Sequence, residues 1–280
     1  MNMFSAKFDN NNVYITNYGG FDLPHTLDCG QAFRWEETEN GIWHGVAFDK
    51  YLELEKLADG TVVLYNTSKE DFEGVWRHYF DLDRDYDGII NAISEDEILK
   101  RASEYAHGIR VLNQEPWETL CSFIISQNNN IKRIKGIISR LCENFGENKG
   151  GYYTFPTAEK IAELTLDDLS VLRSGFRAKY ILDAAKKVSS GEVELNKLKD
   201  APTDGARDEL MKITGVGPKV ADCVLLFGLE HADAFPKDVW IKRAMQVLFD
   251  GELPECAKPY AGIAQQYIFL FARETKLAID

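Results

Sequence analysis

The spacing of apolar residues changes period once, near residue 69, and that change limits the folds open to this chain. Before it, "NVYITNY" (12–18), "AFRWEE" (32–37), "IWHGVAF" (42–48), "YLELEKL" (51–57) and "TVVLYNT" (61–67) are short runs rich in β-branched and aromatic residues. Several alternate polar with apolar, the period of a strand with one face buried. "TENG" and "ADG" between them are turn signals, which predicts an antiparallel meander. From "SKEDFEGVWRHYF" (68–80) onward the period is helical. "PWETLCSFIISQ" opens on proline, whose missing N–H costs nothing at a helix start. "IKRIKGIISRLCENFG" is apolar on one face, basic on the other, and stopped by Gly146. The expected class is α+β, with an N-terminal antiparallel sheet and flanking helices over 1–106 and a helical body over 107–280. Within the body we expect a helical pair at 207–228, a helix within 235–249 and a last helix at 259–274.

An apolar content of 45% with 12% aromatics supplies a large core, which excludes global disorder. The first residues show no basic stretch followed by an apolar one, and no run reaches membrane-spanning length, so a soluble cytoplasmic chain without a membrane partner is expected. The five cysteines (29, 121, 142, 223, 256) form no C-x-x-C. Neither a disulfide framework nor a zinc or iron–sulfur site has ligand spacing, and no metal ligand is assigned.

The net charge of −13 argues against a polyanionic partner until its distribution is read. Residues 1–100 hold 8 basic and 20 acidic side chains, and residues 101–280 hold 24 and 25. Residues 128–142 carry four basic side chains and no acidic one, and residues 169–190 carry five against one. Such local stripes suit a face presented to nucleic acid, although solvated helix surfaces would account for the counts alone.

The most informative stretch is "LMKITGVGPKVADCVLLFG" (210–228), which reads as a helix, a tight turn and a second helix. Gly215 and Gly217 are expected to free the backbone, and with Val216 to bring amide N–H groups to the surface at a helix start. That arrangement grips phosphate without touching bases. Lys219 lies at the start of the second helix beside an apolar wall, where an amine that sheds its proton can attack an electrophilic sugar carbon. "AFPKDVWIKRAM" then offers Asp238 as a helix cap. A solvated amine and a plain cap are the ordinary alternatives for these two residues; their pairing behind a G-V-G turn favours chemistry.

Hairpin, lysine and "PKD" together resemble the helix-hairpin-helix Gly/Pro–Asp superfamily of DNA base-excision glycosylases. "DCGQAFRW" (28–35), "SFIISQNNNIKRIKGIISRLCENFG" (122–146), "LRSGFRAKYI" (172–181), "GVGPKVADC" (215–223) and "YAGIAQQYIFLF" (260–271) resemble, in order and approximate spacing, its 8-oxoguanine DNA glycosylase/lyase branch. The resemblance spans almost the whole chain. It implies a twisted, TATA-binding-protein-like N-terminal sheet and damaged double-stranded DNA as partner. A compact, bacterial-type, monomeric member associated with the nucleoid is expected.

The resemblance also implies roles. Lys219 matches the nucleophile that forms a Schiff base, and Asp238 the aspartate that steadies a cationic sugar. Gly30 matches the glycine whose carbonyl accepts the N7 hydrogen present in the lesion and absent from guanine. Cys223 and Phe269 match the two faces that sandwich the extruded base, and Gln265 the amide that reads its Watson–Crick edge. Asn128 matches the residue filling the emptied stack, with Phe176 as wedge. Arg133 and Arg177 match the pair that grips the orphaned cytosine. Gly215, Val216 and Gly217 are expected on phosphate. No cofactor is required; a structural monovalent cation on the hairpin carbonyls is compatible. Phe176 and Trp240 depart from the tyrosine and histidine of eukaryotic members. The alternatives are a glycosylase of the same superfamily for another damaged base, and a DNA-binding module without catalysis.

Overall fold

The computed structural model of the chain describes residues 4–275. Six strands, β1 (Ser5–Asp9), β2 (Asn12–Thr16), β3 (Trp35–Glu37), β4 (Trp43–Ala47), β5 (Lys50–Lys56) and β6 (Val62–Tyr65), form one sheet in the order β1-β2-β6-β5-β4-β3. Every pairing is antiparallel. The expected meander is present, with one strand more than the sequence reading gave. β1 has weak strand character, but the Asn10–Asn11 turn that returns it has φ of 49° and 61° at its two central residues, the geometry of a tight hairpin.

Register places apolar side chains opposite one another, Val13 against Leu64 and Leu54 against Trp43. That face buries Ile15, Leu52 and Val62 against Trp35 of β3 and against Phe72, Trp76 and Phe80 from the segment that follows the sheet. The Trp35 indole N–H donates to the Tyr79 hydroxyl at 2.7 Å, so the polar atoms of these rings are satisfied where they are buried.

β2 and β3 lie far apart in the sheet, and residues 17–34 bridge them outside it. The short helix Leu23–Leu27 of this excursion packs into the core of the sheet, and Cys29 and Phe33 after it reach the core of the helical body, which sets Gly30 between the two. The buried Gln31 pins it. Its side-chain amide donates to the carbonyls of Thr26 and Arg110, both at 2.8 Å, and accepts from the Leu112 N–H at 2.9 Å.

The longer helices of the body are α1 (Tyr86–Ile93), α2 (Glu97–Tyr105), α3 (Pro116–Ser126), α4 (Ile131–Phe145), α5 (Arg177–Ser189), α6 (Thr203–Leu210), α7 (Pro218–Gly228), α8 (Val239–Phe249) and α9 (Ala261–Glu274). α7 packs on α3, and α9 packs on α2 and α8. Ile89, Ile93, Leu99 and Ala102 of α1 and α2 belong to the core of this body together with Cys29 and Phe33, while Leu112 joins the core of the sheet. No described helix is long and apolar enough to cross a membrane.

Candidate active site

The turn between α6 and α7 shows what its glycines are for, and the two differ. Gly215 has φ of +83°, and a Cβ there would lie 2.4 Å from the Tyr180 ring, so both conformation and space exclude a side chain. Gly217 caps α7 with φ of −102°, and nothing lies within 4 Å of a Cβ built on it. The expectation of a special backbone therefore fails for Gly217; any residue could adopt its angles, and what its small size leaves open is the space in front of the helix start. Val216 sends its side chain into the core, so it can offer a partner only its backbone. Its N–H already donates to the Ile213 carbonyl at 3.0 Å. Asp183 of α5 holds the turn by accepting from the Thr214 N–H at 2.7 Å, and Lys187 donates to the Lys212 carbonyl at 2.6 Å.

Directly behind this turn lies a cavity of about 60 Å³ walled by residues from five parts of the chain, Phe123 of α3 among them. Gly30 comes from the excursion, Lys219 and Cys223 from α7, Asp238 from the start of α8, and Gln265 and Phe269 from α9. All six residues that the sequence assigned to chemistry or to base recognition line this one space. Phe123, Phe227, Pro236, Cys29 and Gln266 complete the wall and were not anticipated. Phe123 and Phe227 read in sequence as ordinary core residues, and Gln266 was hidden beside its neighbour.

Each functional side chain is held by local structure. Asp238 accepts from the Ile241 N–H at 2.7 Å, the cap that the sequence indicated, which fixes one carboxylate oxygen at the cavity. The Lys219 ammonium stands 5.2 Å from the centre of the Phe123 ring, the apolar wall expected beside it. Burial pushes the Cys223 thiol up to about 11, against the pull of the nearby Lys219 amine, so it stays neutral and presents a soft apolar face. Gly30 has φ of +89°, with nothing within 4 Å of a built Cβ; its backbone angle, rather than crowding by the protein, demands glycine. Phe269 is half-buried, as are Gly30, Lys219 and Asp238 of the same wall, so the cavity meets solvent along these four residues.

The second constellation lies on the "NNN" turn between α3 and α4, where each asparagine has a separate task. Asn128 is exposed at the apex with φ of 47°. The Asn129 side chain donates back to the Ile125 carbonyl of α3 at 3.0 Å, and Asn130 caps α4 by accepting from the Arg133 N–H at 3.0 Å. Phe176 is 46% exposed, and its ring lies 4.5 Å from the guanidinium of Arg177. The two arginines that the resemblance pairs have different surroundings. Arg133 is exposed, whereas Arg177 is 2% exposed, and its guanidinium donates to the carbonyls of Gln127 (2.9 Å), Asn128 (2.9 Å) and Ser174 (3.2 Å). Fixed donors in a planar fork suit backbone carbonyls as well as a base edge, and here the carbonyls take all but one Nη1 hydrogen. Trp240 is exposed on the first turn of α8.

A larger concavity, about 860 Å³, lies elsewhere, between Phe48, Trp117, Phe155 and Leu195, and holds none of these residues. Among the described residues no cluster of His, Cys, Asp or Glu could hold a metal ion.

Comparison with known proteins places the same segments. The model of the 8-oxoguanine DNA glycosylase N-terminal domain matches residues 13–120, and that of the HhH-GPD superfamily of base excision DNA repair proteins matches residues 121–252. The N-glycosylase/DNA lyase of Saccharomyces cerevisiae is 35% identical over 79% of this chain and 66% of its own length. A probable N-glycosylase/DNA lyase of Methanothermobacter thermautotrophicus is 29% identical over 92% of this chain and 96% of its own. The chain thus spans about two thirds of the yeast protein and nearly all of the archaeal one. The Clostridium acetobutylicum 8-oxoguanine glycosylase/lyase, solved with double-stranded DNA containing cytosine opposite 8-oxoguanine, superposes with a TM-score of 0.89 at 40% identity, covering 99% of this chain and 100% of that one. The chain belongs to the 8-oxoguanine DNA glycosylase family of helix-hairpin-helix base-excision enzymes.

Proposed function

We propose that this chain excises 8-oxoguanine from duplex DNA, with cytosine as the preferred opposing base, and then cleaves the abasic strand. One observation carries the reading: Lys219, Asp238, Gly30, Cys223, Gln265 and Phe269, spread over 240 residues of sequence, line a single cavity behind the hairpin.

In the proposed reaction the hairpin holds the backbone of extruded DNA through its amides, and the lesion enters past Phe269. The Lys219 amine, once deprotonated, forms a bond to C1′ as the C1′–N9 bond breaks. The electron pair leaves on the base, which takes up a proton. Asp238, fixed by its cap, faces the positive charge that develops on the sugar. Ring opening gives a Schiff base on Lys219. Loss of a proton from C2′ then expels the 3′ phosphate by β-elimination, and hydrolysis frees the lysine. Gly30 selects the lesion through its carbonyl, because a buried acceptor facing the N7 lone pair of guanine would go unpaired at a cost of roughly 1–3 kcal/mol. Asn128 and Phe176 fill the emptied stack. Arg133 and Arg177 read the orphaned cytosine, Arg177 while it also braces the turn beneath.

The chain acts as a monomer and needs no cofactor in this reading. A monovalent cation at the hairpin would rest on backbone carbonyls alone, where Lys187 already supplies one positive charge to the Lys212 oxygen. Base release from duplexes with 8-oxoguanine opposite each of the four bases tests the reading. Release that is fastest opposite cytosine supports it, and equal rates overturn the opposing-base assignment. Release of a different damaged base in preference would instead favour another member of the superfamily.

A further inference from the structure

The base-reading amide has a partner in this structure that fixes its direction. Cys29, Gln266 and Gln265 are 3%, 4% and 5% exposed and stand in sequence along the cavity wall. Gln265 Nε2 donates to the Pro236 carbonyl at 3.3 Å, Gln266 Nε2 donates to Gln265 Oε1 at 2.6 Å, and Cys29 Sγ donates to Gln266 Oε1 at 3.5 Å.

The polarity of this row cannot be inverted. At one end the Pro236 carbonyl can only accept, so Gln265 must turn its nitrogen there and its oxygen toward Gln266. Gln266 must then turn its own nitrogen to Gln265, which leaves its oxygen for Cys29. Burial pushes the Cys29 thiol up to about 11, so that end carries the proton the row needs. The thiol has a second acceptor in the Thr26 carbonyl, at the longer distance of 3.7 Å. Reversing both amides would set Gln265 Oε1 against the Pro236 oxygen, two acceptors without a proton between them.

We propose that Gln266, anchored by Cys29, is a positioning residue for base selection: it locks the Gln265 amide in the one orientation that matches a guanine-type edge. The inference rests on the reading of Gln265 given above. With the lock in place, Gln265 keeps one lone pair and one N–H for a ligand, side by side and in fixed order. That order fits the N1–H donor and O6 acceptor of 8-oxoguanine, and opposes the N1 acceptor and 6-amino donor of 8-oxoadenine. The row also joins the Gly30 loop to α9, so the two groups that question the base are set by one network.

The test is single-turnover excision by wild type, Gln266→Met, Cys29→Ala and Cys29→Ser on 8-oxoguanine and 8-oxoadenine duplexes, beside strand cleavage at a preformed abasic site, which has no base to read. Gln266→Met should lower 8-oxoguanine excision about tenfold, the loss of one hydrogen bond, and narrow the preference over 8-oxoadenine. Abasic cleavage should stay within about twofold of wild type. Cys29→Ala should move in the same direction and Cys29→Ser should restore the wild-type rate, because a hydroxyl returns the donor. Excision unchanged in Gln266→Met, or excision and abasic cleavage falling together in both Gln266→Met and Cys29→Ala, overturns the proposal. A wild-type chain inactive on 8-oxoguanine fails the parent reading, whereas an active wild type matched by Gln266→Met fails this inference alone.

Discussion

A Cβ placed on Gly215 would lie 2.4 Å from the ring of Tyr180, so the hairpin and α5 meet at a point with no room for a methyl group. With φ of +83° added, Gly215→Ala should cost about 2–4 kcal/mol of stability by urea unfolding. Gly217→Ala should stay within about 0.5 kcal/mol of wild type, since its backbone is ordinary and its surroundings open. The same substitution should weaken binding to undamaged duplex DNA, because the methyl group occupies the phosphate's approach. Equal stability losses at the two glycines would contradict this division of labour.

Arg177 and Arg133 should separate in the same way. Removing the buried guanidinium orphans the carbonyls of Gln127, Asn128 and Ser174, so Arg177→Ala should lose about 2–4 kcal/mol of stability. Arg133→Ala should leave the unfolding midpoint nearly unchanged and flatten the ranking of excision rates over the four opposing bases. Thermal unfolding and the opposing-base series, run on both variants, check the pair. A stable Arg177→Ala would contradict its bracing role.

Glu118 makes stability depend on pH. Burial raises its carboxyl to about 7, partly offset by Arg34, whose Nη1 lies 3.2 Å away. The unfolded chain releases this proton near the ordinary 4.5 while the folded chain keeps it, so between about 4.5 and 7 the native state binds more protons and its stability falls as pH rises. The swing is at most about 3 kcal/mol. Glu118→Gln should remove this slope and be no less stable than wild type at pH 8. Urea midpoints across that range test it; a variant with the wild-type slope would assign the dependence to another group.

The legible part of the molecule was what short-range pattern encodes. Period-two runs gave β2 to β6, and capping residues gave the starts of α3 and α8. β1 escaped because its strand signal lay in the Asn10–Asn11 turn rather than in apolar alternation. The cavity's six assigned residues were legible only through resemblance, since nothing in the spacing of Gly30, Lys219 and Gln265 says that they meet. Other features depend on three-dimensional partners. Arg177 looks in sequence like any basic surface residue, and its burial follows from carbonyls that the turn at 127–128 happens to expose. Gln31 and Gln266 sat inside quoted motifs, yet their tasks are hydrogen bonds to distant backbone and side chains. Gly217 and Gly215 look equivalent as letters and differ because Tyr180 stands beside only one of them.

The central claim is that Lys219 attacks the sugar of an extruded 8-oxoguanine nucleotide. Borohydride trapping on a duplex with one 8-oxoguanine opposite cytosine, beside an undamaged control, tests it most directly. The account predicts a covalent protein–DNA adduct with the lesion alone, and none with Lys219→Gln, which should still bind the lesion duplex. Base release without any adduct, or an adduct that persists in Lys219→Gln, would contradict it.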